Sequence, residues 1–186
     1  MRQAQAQGYR SRASFKLLEI NRRDRLLQPG ATVVDLGAAP GGWSQVASTI
    51  VGPRGRVLAV DLLEMAPLPG VEFILGDFGD ESVLEHTLGR LPDGADLVMS
   101  DMAPNLSGVL DVDQPAALHL AELALDFARR VLKPRGVLLV KCFEGAGSQA
   151  LRAEFARHFG QVLVRKPDAS RDRSREHYLI GRGMLP

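Results

Sequence analysis

Hydrophobic and polar positions fall into blocks along this chain, and five blocks predict buried strands. Each is a continuous apolar run rich in β-branched residues, which is typical of a parallel sheet covered on both faces. The runs are ATVVDLG (31–37), RVLAVD (56–61), VEFILGD (71–77), DLVMSD (96–101) and GVLLVKCF (136–143). Two more strands are predicted at QVLVRKP (161–167) and EHYLIGRG (176–183), with a polar, arginine-rich loop between them.

Apolar residues at spacings of three and four predict helices in the segments around these strands. The segments are SRASFKLLEINRRDRLL (11–27), GWSQVASTIVG (42–52), ESVLEHTLGRL (81–91), QPAALHLAELALDFARRVL (114–132) and AGSQALRAEFARHFG (146–160). Strands that alternate with helices in this way predict an α/β fold with a mostly parallel sheet and helices on both faces.

Size and composition limit the organisation and the kinds of site. The chain has 186 residues, of which 45% are hydrophobic and 24% charged, as expected for one globular domain. We therefore interpret residues 1–186 as a single domain, with a basic helical segment of about residues 1–28 packed on it. Cys142 is the only cysteine, which excludes an internal disulfide and a cysteine-based zinc site.

Two further absences shape the expectations. The four histidines, His86, His119, His158 and His177, lack the spacing of metal ligands, so we predict no metal site. No apolar run approaches the roughly 20 residues of a membrane helix, and the polar start of the chain has no secretory apolar region. We expect a soluble, cytoplasmic protein without a membrane partner.

Basic residues gather near both ends of the chain, although 23 Lys and Arg against 22 Asp and Glu leave a net charge of only +1. The first cluster is Arg2, Arg10, Arg12, Lys16, Arg22, Arg23 and Arg25, and the second is Arg165, Lys166, Arg171, Arg173 and Arg175. Both are candidate phosphate-binding surfaces. Since basic clusters also occur on ordinary solvated faces, charge alone leaves both interpretations open.

The first strand ends in the loop DLGAAPGGWSQ, where Gly37 and Gly41 allow close approach of a ligand at a helix N-terminus. A tight strand-to-helix turn is the alternative. The loop lacks the G-x-x-x-x-G-K-[ST] pattern, and Ala39 replaces the second glycine of G-x-G-x-x-G. Pyrophosphate binding is therefore disfavoured, and with it a dehydrogenase.

Acidic residues follow the next two strands. Asp61 stands where a carboxylate can accept hydrogen bonds from both ribose hydroxyls of an adenosine, or it is a helix cap or a solvated loop residue. Asp77 is a candidate for the adenine amino group, but taken alone it reads as a cap for the helix near Glu81. Trp43 is a candidate to pack on the ligand; a lone Trp is more often core or groove lining.

Six segments, in chain order, identify a family. They are SRASFKLLEI, VVDLGAAPGGWSQ, DLLEM, SDMAPN, LVKCFEG and VRKPDASRDRSREHY. With them the chain closely resembles the FtsJ/RrmJ family of bacterial 23S ribosomal RNA uridine 2′-O-methyltransferases, over about residues 4–183. The family's members usually carry a longer basic segment ahead of the first helix.

The resemblance implies a fold, a cofactor and a site. The fold is the Rossmann-like methyltransferase sheet of seven strands, closed by one antiparallel strand, here EHYLIGRG. The cofactor is S-adenosyl-L-methionine, contacted by Gly37, Gly41, Trp43, Asp61, Asp77 and Asp101. The family's catalytic Lys-Asp-Lys-Glu set falls on Lys16, Asp101, Lys141 and Glu176, and all four residue types are present.

A ribose hydroxyl needs a base within hydrogen-bond reach and a fixed position relative to the methyl donor. Our hypothesis is that Lys141 accepts or orients the 2′-hydroxyl proton and that Asp101 fixes Lys141 and the cofactor. Lys16 and Glu176 would hold the network and the ribose. Simpler interpretations are a solvated helix face for Lys16, a strand-end cap for Asp101 and a surface charge for Glu176. For Lys141 the simpler interpretation is weak, because a lysine that ends an apolar strand needs partners.

The resemblance also implies a partner, 23S ribosomal RNA within the 50S subunit, for a protein we expect to be monomeric. RNA contacts are predicted at Arg10, Arg12, Lys16, Arg165, Lys166, Arg171, Arg173 and Arg175. Transfer RNA is an alternative substrate, as in eukaryotic relatives. A non-catalytic assembly factor is the alternative from a different class, and the intact set of four residues argues against it.

Overall fold

The protein is described by a computed structural model, which covers residue 4 and residues 6–105, 107–170 and 175–186. Its strands are β1 (Thr32–Leu36), β2 (Arg56–Asp61), β3 (Val71–Leu75), β4 (Ala95–Ser100), β5 (Leu132–Phe143), β6 (Phe159–Arg165) and β7 (Glu176–Met184). The helices between and around them are α1 (Ala13–Asp24), α2 (Gly42–Val51), α3 (Glu81–Gly89), α4 (Leu110–Val131) and α5 (Ser148–His158).

All seven strands form one sheet, in the order β3-β2-β1-β4-β5-β7-β6. The pairs among β1 to β5 are parallel, whereas β7 is antiparallel to both of its neighbours, β5 and β6. The α/β fold with one antiparallel strand at EHYLIGRG is therefore confirmed. Because β7 enters the sheet beside β5 in the reverse direction, the start of β7 lies at the end of β5.

The strands of the sheet bury both of their faces, which explains why they are continuously apolar. Successive side chains alternate between two cores: Leu97 and Met99 pack on one face, and Val98 packs on the other. The first core is covered by α1 and α2, through residues such as Leu17 and Trp43. The second is covered mainly by α3, α4 and α5.

Helix α1 packs closely on the sheet: Leu17 and Ile20 are 0% and 2% exposed. This packing supports the interpretation of a single domain with a packed basic segment, which stays a prediction. Met1, Arg2, Gln3 and Gln5 of that segment lie outside the described residues. Among the described helices, none combines the length and the apolar character that crossing a bilayer requires.

Element boundaries differ from the sequence patterns in two places. Helix α4 begins at Leu110, four residues before the predicted start at Gln114, and includes Pro115. Strand β5 begins at Leu132, although Lys133-Pro134-Arg135-Gly136 reads as a turn. Ala95 of β4 pairs with Leu132 of β5, and Leu97 pairs with Val137, so the register between the two strands shifts between these pairs. This irregularity accommodates the extra residues of β5.

A substitution at Gly181 would show how tightly the second core is packed. A Cβ atom at this buried position of β7 would lie 2.6 Å from Cε2 of Phe159, whose ring is itself buried. We expect Gly181→Ala to lower the free energy of unfolding by about 1–3 kcal/mol, because the ring has nowhere to move. Urea denaturation monitored by circular dichroism measures this change.

Gly160→Ala is the matched control on the neighbouring strand β6. A Cβ atom there would meet nothing closer than 3.7 Å, which is ordinary van der Waals contact. The control is expected to match or slightly exceed the wild-type stability, since alanine restricts the unfolded chain. Equal stability of the two variants would contradict tight packing at Gly181.

Candidate active site

Three acidic side chains and the glycine-rich loop meet at one edge of the sheet. Asp61 ends β2, Asp77 follows β3 and Asp101 follows β4. The loop from Gly37 to Gly41 follows β1. Because these strands are parallel neighbours, their carboxyl ends share the edge at which α/β sheets commonly bind ligands.

The glycines of the loop are required by its backbone. Gly37 and Gly41 have φ angles of 74° and 102°, which residues with a Cβ atom rarely adopt. At Gly41 an added Cβ would also lie 2.8 Å from Sδ of Met65, and at Gly37 it would overlap the Met102 side chain. The tight turn and the close packing are therefore present, and both position the N-terminus of α2 at this edge.

The Asp61 carboxylate is held in place by the backbone. Its Oδ2 accepts a hydrogen bond from the amide of Ala39 at 2.8 Å, and its Oδ1 accepts one from the amide of Leu63 at 2.8 Å. Each oxygen keeps a second lone pair for another donor. Leu62 and Leu63 are 63% and 68% exposed, so an oriented carboxylate here borders open apolar surface.

Asp77 is exposed, and its Oδ1 accepts a hydrogen bond from the amide of Gly79 at 2.7 Å. The N-cap position of α3 is occupied by Asp80. The helix-cap interpretation of Asp77 is thus not what the structure shows.

Trp43 lies in the first core, with 2% of its surface exposed. Its indole N–H donates to the carbonyl of Ala13 at 2.8 Å, and its ring centroid lies 5.7 Å from that of Tyr178. This placement favours the core interpretation. Contact with a cofactor stays a prediction for Trp43.

A row of hydrogen bonds joins all four residues of the predicted catalytic set. Lys16 Nζ lies 2.5 Å from Glu176 Oε1, and Lys141 Nζ lies 3.0 Å from Asp101 Oδ1. Tyr178 links the two ion pairs: its hydroxyl donates to Asp101 Oδ1 at 2.7 Å and lies 3.3 Å from Glu176 Oε1. The structure therefore brings together residues that are 160 positions apart in the chain.

Strand pairing fixes this arrangement. Lys141 of β5 lies directly opposite Tyr178 of β7. Glu176, two residues before Tyr178 in the same strand, projects from the same face of the sheet. Helix α1 packs over that face and places Lys16 above β7, with Nζ 6.0 Å from the centre of the Tyr178 ring.

Burial distinguishes these side chains from ordinary surface charges. The side chains of Lys141, Glu176, Lys16 and Asp101 are 8%, 11%, 13% and 17% exposed. The simpler interpretations of Lys16 as a solvated helix residue and of Glu176 as a surface charge are therefore wrong. Glu176 also accepts a hydrogen bond from the buried Ser170 hydroxyl at 2.9 Å.

Electrostatics shift the pKa values of two members of the network, Glu176 and Tyr178, in opposite directions. Burial alone would raise the pKa of Glu176, but hydrogen bonding and attraction from Lys16, with Lys141 and Ser170, hold that pKa below its usual value. Burial, with the carboxylates of Asp101 and Glu176, raises the pKa of Tyr178. Its hydroxyl consequently stays protonated and can donate to a carboxylate at all ordinary pH values.

A second buried carboxylate, Asp35 of β1, lies behind the loop. It is 1% exposed, and its Oδ2 accepts a hydrogen bond from Ser44 at 2.6 Å, whereas its Oδ1 has no hydrogen-bond partner among the described residues. Burial is the main reason that its pKa is raised to about 7, and the charges of Asp101 and Asp61 add to the effect, against the hydrogen bond from Ser44.

Two of the predicted RNA contacts, Arg10 and Arg165, form intramolecular hydrogen bonds in this structure. The guanidinium of Arg10 donates to the carbonyls of Ala66 and Pro67 at 2.5 Å and 2.7 Å. Arg165 forms two hydrogen bonds of 2.8 Å with the Asp24 carboxylate. Both guanidinium groups are therefore committed to intramolecular contacts.

The other predicted contacts differ in accessibility. Lys16 is largely buried and paired with Glu176. Arg12, Lys166 and Arg175 are exposed. Arg171 and Arg173 lie outside the described residues.

Within the described ranges, no group of three or more His, Cys, Asp or Glu side chains is arranged to hold a metal ion. Cys142 does lie opposite a histidine, His177, across β5 and β7. Burial raises the pKa of the Cys142 thiol to about 12, so it remains a neutral core side chain.

Sequence patterns missed three polar members of this region: Tyr178, Ser170 and Asp35. The alternation of strand β7 could have identified Tyr178, since it shares a face with Glu176. Ser170 sits in an irregular loop, and its contact with Glu176 has no sequence signal. Asp35 interrupts an otherwise apolar strand, and that interruption was the available signal.

Comparisons with known proteins agree with this geometry. The model of the FtsJ-like methyltransferase family matches residues 9–184. A protein of Alkalilimnicola ehrlichii named ribosomal RNA large subunit methyltransferase E is 60% identical over 184 residues, covering 98% of this chain and 88% of that protein. A protein of the same name from Pseudomonas aeruginosa is 56% identical, with 98% and 89% covered.

A solved structure from Plasmodium falciparum, described as a ribosomal RNA methyltransferase, is similar throughout. It superposes with a TM-score of 0.83 at 27% identity and covers 95% of this chain and 99% of its own. The family resemblance inferred from the six sequence segments is therefore confirmed.

The raised pKa of Asp35 predicts a pH dependence of stability. An unfolded aspartate titrates near pKa ~3.9, whereas Asp35 titrates at about 7 in the folded protein. Between these pH values Asp35 binds more protons in the folded state than in the unfolded state. The free energy that its protonated form contributes to stability is therefore lost as pH rises from about 4 to 7. Above pH 7 the contribution of Asp35 no longer changes with pH.

Asp35→Asn resembles the protonated side chain and should lack this loss. Relative to wild type, we expect its free energy of unfolding to increase by a few kcal/mol between pH 4 and 8, at about 1.4 kcal/mol per pKa unit. Urea denaturation of both proteins across this range gives the difference, in which the shared titrating groups cancel. A difference that stays constant with pH would refute the raised pKa.

Proposed function

This chain belongs to the FtsJ-like methyltransferase family, and on that basis we propose that it methylates the 2′-hydroxyl of a uridine ribose in 23S ribosomal RNA. The methyl donor is S-adenosyl-L-methionine, and the substrate is the assembled 50S subunit. One observation carries the proposal: buried Lys141 is held by Asp101 at the ligand-binding edge of the sheet, beside the glycine loop.

The substrate rests on the relatives. The proteins of Alkalilimnicola ehrlichii and Pseudomonas aeruginosa are named ribosomal RNA large subunit methyltransferase E, at 60% and 56% identity. The choice of a uridine and of its 2′-oxygen rests on the FtsJ/RrmJ resemblance. We expect the protein to act as a monomer, in the cytoplasm and without a metal ion.

The donor set at the sheet edge fits an adenosine carrying an amino acid. Asp61, Asp77 and Asp101 offer hydrogen-bond acceptors for ribose hydroxyls, the adenine amino group and an α-ammonium group. Gly37 and Gly41 bring the loop backbone to the same edge, and Trp43 supports that loop from the core. Arg10, whose guanidinium lies against this loop, donates to the carbonyls of Pro40, Ala66 and Pro67. When bound, the cofactor supplies a methyl group on a positively charged sulfur.

Lys141 is geometrically suited to receive the proton of the ribose hydroxyl. Its Nζ donates a hydrogen bond to the carbonyl of Asp101 at 2.8 Å and forms an ion pair with Asp101 Oδ1 at 3.0 Å. Once it has given up one proton, the amine keeps two N–H bonds and one lone pair. The N–H bonds can then face Asp101, which leaves the lone pair for the incoming hydroxyl.

The remaining residues of the row act as positioning groups. Tyr178 donates to Asp101 and thereby fixes the carboxylate that orients Lys141. Glu176 neutralises Lys16 and keeps it folded over β7. Arg12, Lys166 and Arg175, which are exposed, and Arg171 and Arg173 are the proposed contacts to RNA phosphates.

Methyl transfer from radiolabelled S-adenosylmethionine tests the function directly. The acceptors are 50S subunits and protein-free 23S RNA from a strain lacking this gene, with transfer RNA as the comparison. We expect label in 23S RNA at a single alkali-resistant 2′-O-methyl uridine of the 50S subunit. Label only in transfer RNA, or none despite measurable cofactor binding, would overturn the proposal.

Lys141 variants separate proton transfer from charge. Lys141→Ala and Lys141→Arg are both expected to lower kcat by about 100-fold or more, because neither offers a lone pair at neutral pH. Single-turnover methyl transfer with 50S subunits measures the rate. Retention of most activity by Lys141→Arg would show that a positive charge suffices and that Lys141 does not accept the proton.

Arg129→Ala, in helix α4, is the control. Arg129 is exposed, pairs with Asp126 at 3.6 Å and lies in the last turn of a helix that covers the second core, on the other face of the sheet from the row. Its replacement is expected to leave the single-turnover rate within about twofold of wild type.

A further inference from the structure

A second concave surface lies at the opposite edge of the sheet from the candidate active site. This rear hollow encloses about 380 Å³. It is formed where the strands begin and α1 ends, and its polar lining residues are Arg25, Gln28, Asp96, Arg135 and Arg182. The apolar part of the lining includes Leu26, Pro29 and Val137.

Three arginines from three different elements converge there. Arg25 follows α1, Arg135 lies in β5 and Arg182 lies in β7. Arg25 and Arg135 are exposed, and in the described part of the chain neither has an acidic partner. Arg182 donates to the carbonyl of Asp24, while its buried Nε finds no hydrogen-bond partner in the part of the chain that the structure describes.

Nearby carboxylates do not neutralise these arginines. Asp96 lies 3.0 Å from Lys133 Nζ, and its Oδ2 also accepts the amide of Thr32 at 2.8 Å. Asp24 is 8% exposed and is engaged by Arg165. The rear hollow therefore presents an excess of positive charge.

The backbone supplies an independent observation. Arg25 and Arg135 have φ angles of 50° and 67°, and they are the two residues other than glycine with positive φ in the described ranges. Glycine or asparagine is the usual choice for such a conformation. Backbone strain at a position that prefers glycine is typical of a functional constraint. Here both strained residues are arginines, and both line the same hollow.

Helix stabilisation accounts for only part of this pattern. Basic residues in a last helical turn interact favourably with the helix dipole, and a left-handed residue commonly ends a helix. Those effects apply to Arg25, at the end of α1. They do not explain Arg135 and Arg182, which come from strands.

A basic track connects the rear hollow with the candidate active site along α1. The helix carries Lys16 at one end and Arg25 just beyond the other, about 14 Å apart at a rise of about 1.5 Å per residue. Arg22 and Arg23 are exposed between them. The carboxylate of Glu19, the acidic residue nearest to them in the helix, is held by the amides of Asp168 and Ala169.

We propose that the rear hollow binds a backbone phosphate of the RNA substrate, remote from the ribose that is methylated. The proposal rests on the function proposed above. Planar guanidinium groups match phosphate oxygens, and the described lining has no aromatic side chain to stack on a base. A large folded RNA can reach both edges of the sheet, with α1 as the path between them.

The double variant Arg25→Gly/Arg135→Gly tests the proposal by equilibrium binding. Filter binding to unmethylated 50S subunits, measured over a series of KCl concentrations, is expected to show about tenfold weaker affinity at low salt. The slope of log K against log salt should fall by about 1, because both arginines bind the same phosphate. The thermal midpoint should not fall, since glycine relieves the positive φ. Arg25→Asn/Arg135→Asn repeats the test with side chains that also tolerate this conformation.

Arg54→Gln/Arg157→Gln is the matched control, because it removes two charges from exposed arginines outside the hollow. Equal losses in the control and the test variants would overturn the proposal, as would wild-type affinity in the test variants. A loss on 50S subunits that is absent on protein-free 23S RNA would assign the hollow to a ribosomal protein and also overturn it.

RNA binding and methyl transfer are measured in separate experiments, so the proposed function and the rear phosphate site can be refuted independently. Wild-type protein that binds 50S subunits with the expected salt dependence but transfers no methyl group would refute the proposed function alone. Normal methylation by wild type with unchanged binding by both test variants would refute the rear phosphate site alone.

Discussion

The burial of Lys141 at the end of an apolar strand is the constraint on which the rest of the site depends. A charged or hydrogen-bonding amine at 8% exposure is costly unless its N–H groups find acceptors. Both acceptors come from Asp101, which follows the neighbouring strand β4. Asp101 in turn needs a donor, and Tyr178 provides it. Each partner thereby creates the requirement for the next.

The antiparallel strand β7 supplies the last of these partners, Tyr178. It enters between β5 and β6 and places Tyr178 directly opposite Lys141. The same strand contributes Glu176, whose ion pair with Lys16 ties α1 to β7 over the first core. The packing of α1 and the assembly of the polar row therefore depend on the same strand. A fold without β7 would lose Tyr178 from the first core and two members of the polar row.

The two edges of the sheet have different electrostatic character. The carboxyl edge gathers Asp61, Asp77 and Asp101, which suits a cationic cofactor. The amino edge gathers unneutralised arginines around the rear hollow, which suits an anion. Helix α1 spans both edges and carries basic residues along its length. One short helix thus covers the core, supplies Lys16 and links the two surfaces.

The sequence by itself determined the α/β fold, the glycine loop and the family, because each is encoded in local runs of residues. It also predicted that Lys16, Asp101, Lys141 and Glu176 belong to one site, although only the family pattern raised Lys16 and Glu176 above surface charges. Tyr178 as the link between the ion pairs, the burial of Asp35 beside Ser44 and the convergence of Arg25 with Arg135 were decided by tertiary structure. Each of these depends on register and on contacts between elements far apart in the chain. Periodicity specifies which face a side chain occupies, but not which distant partner it meets there.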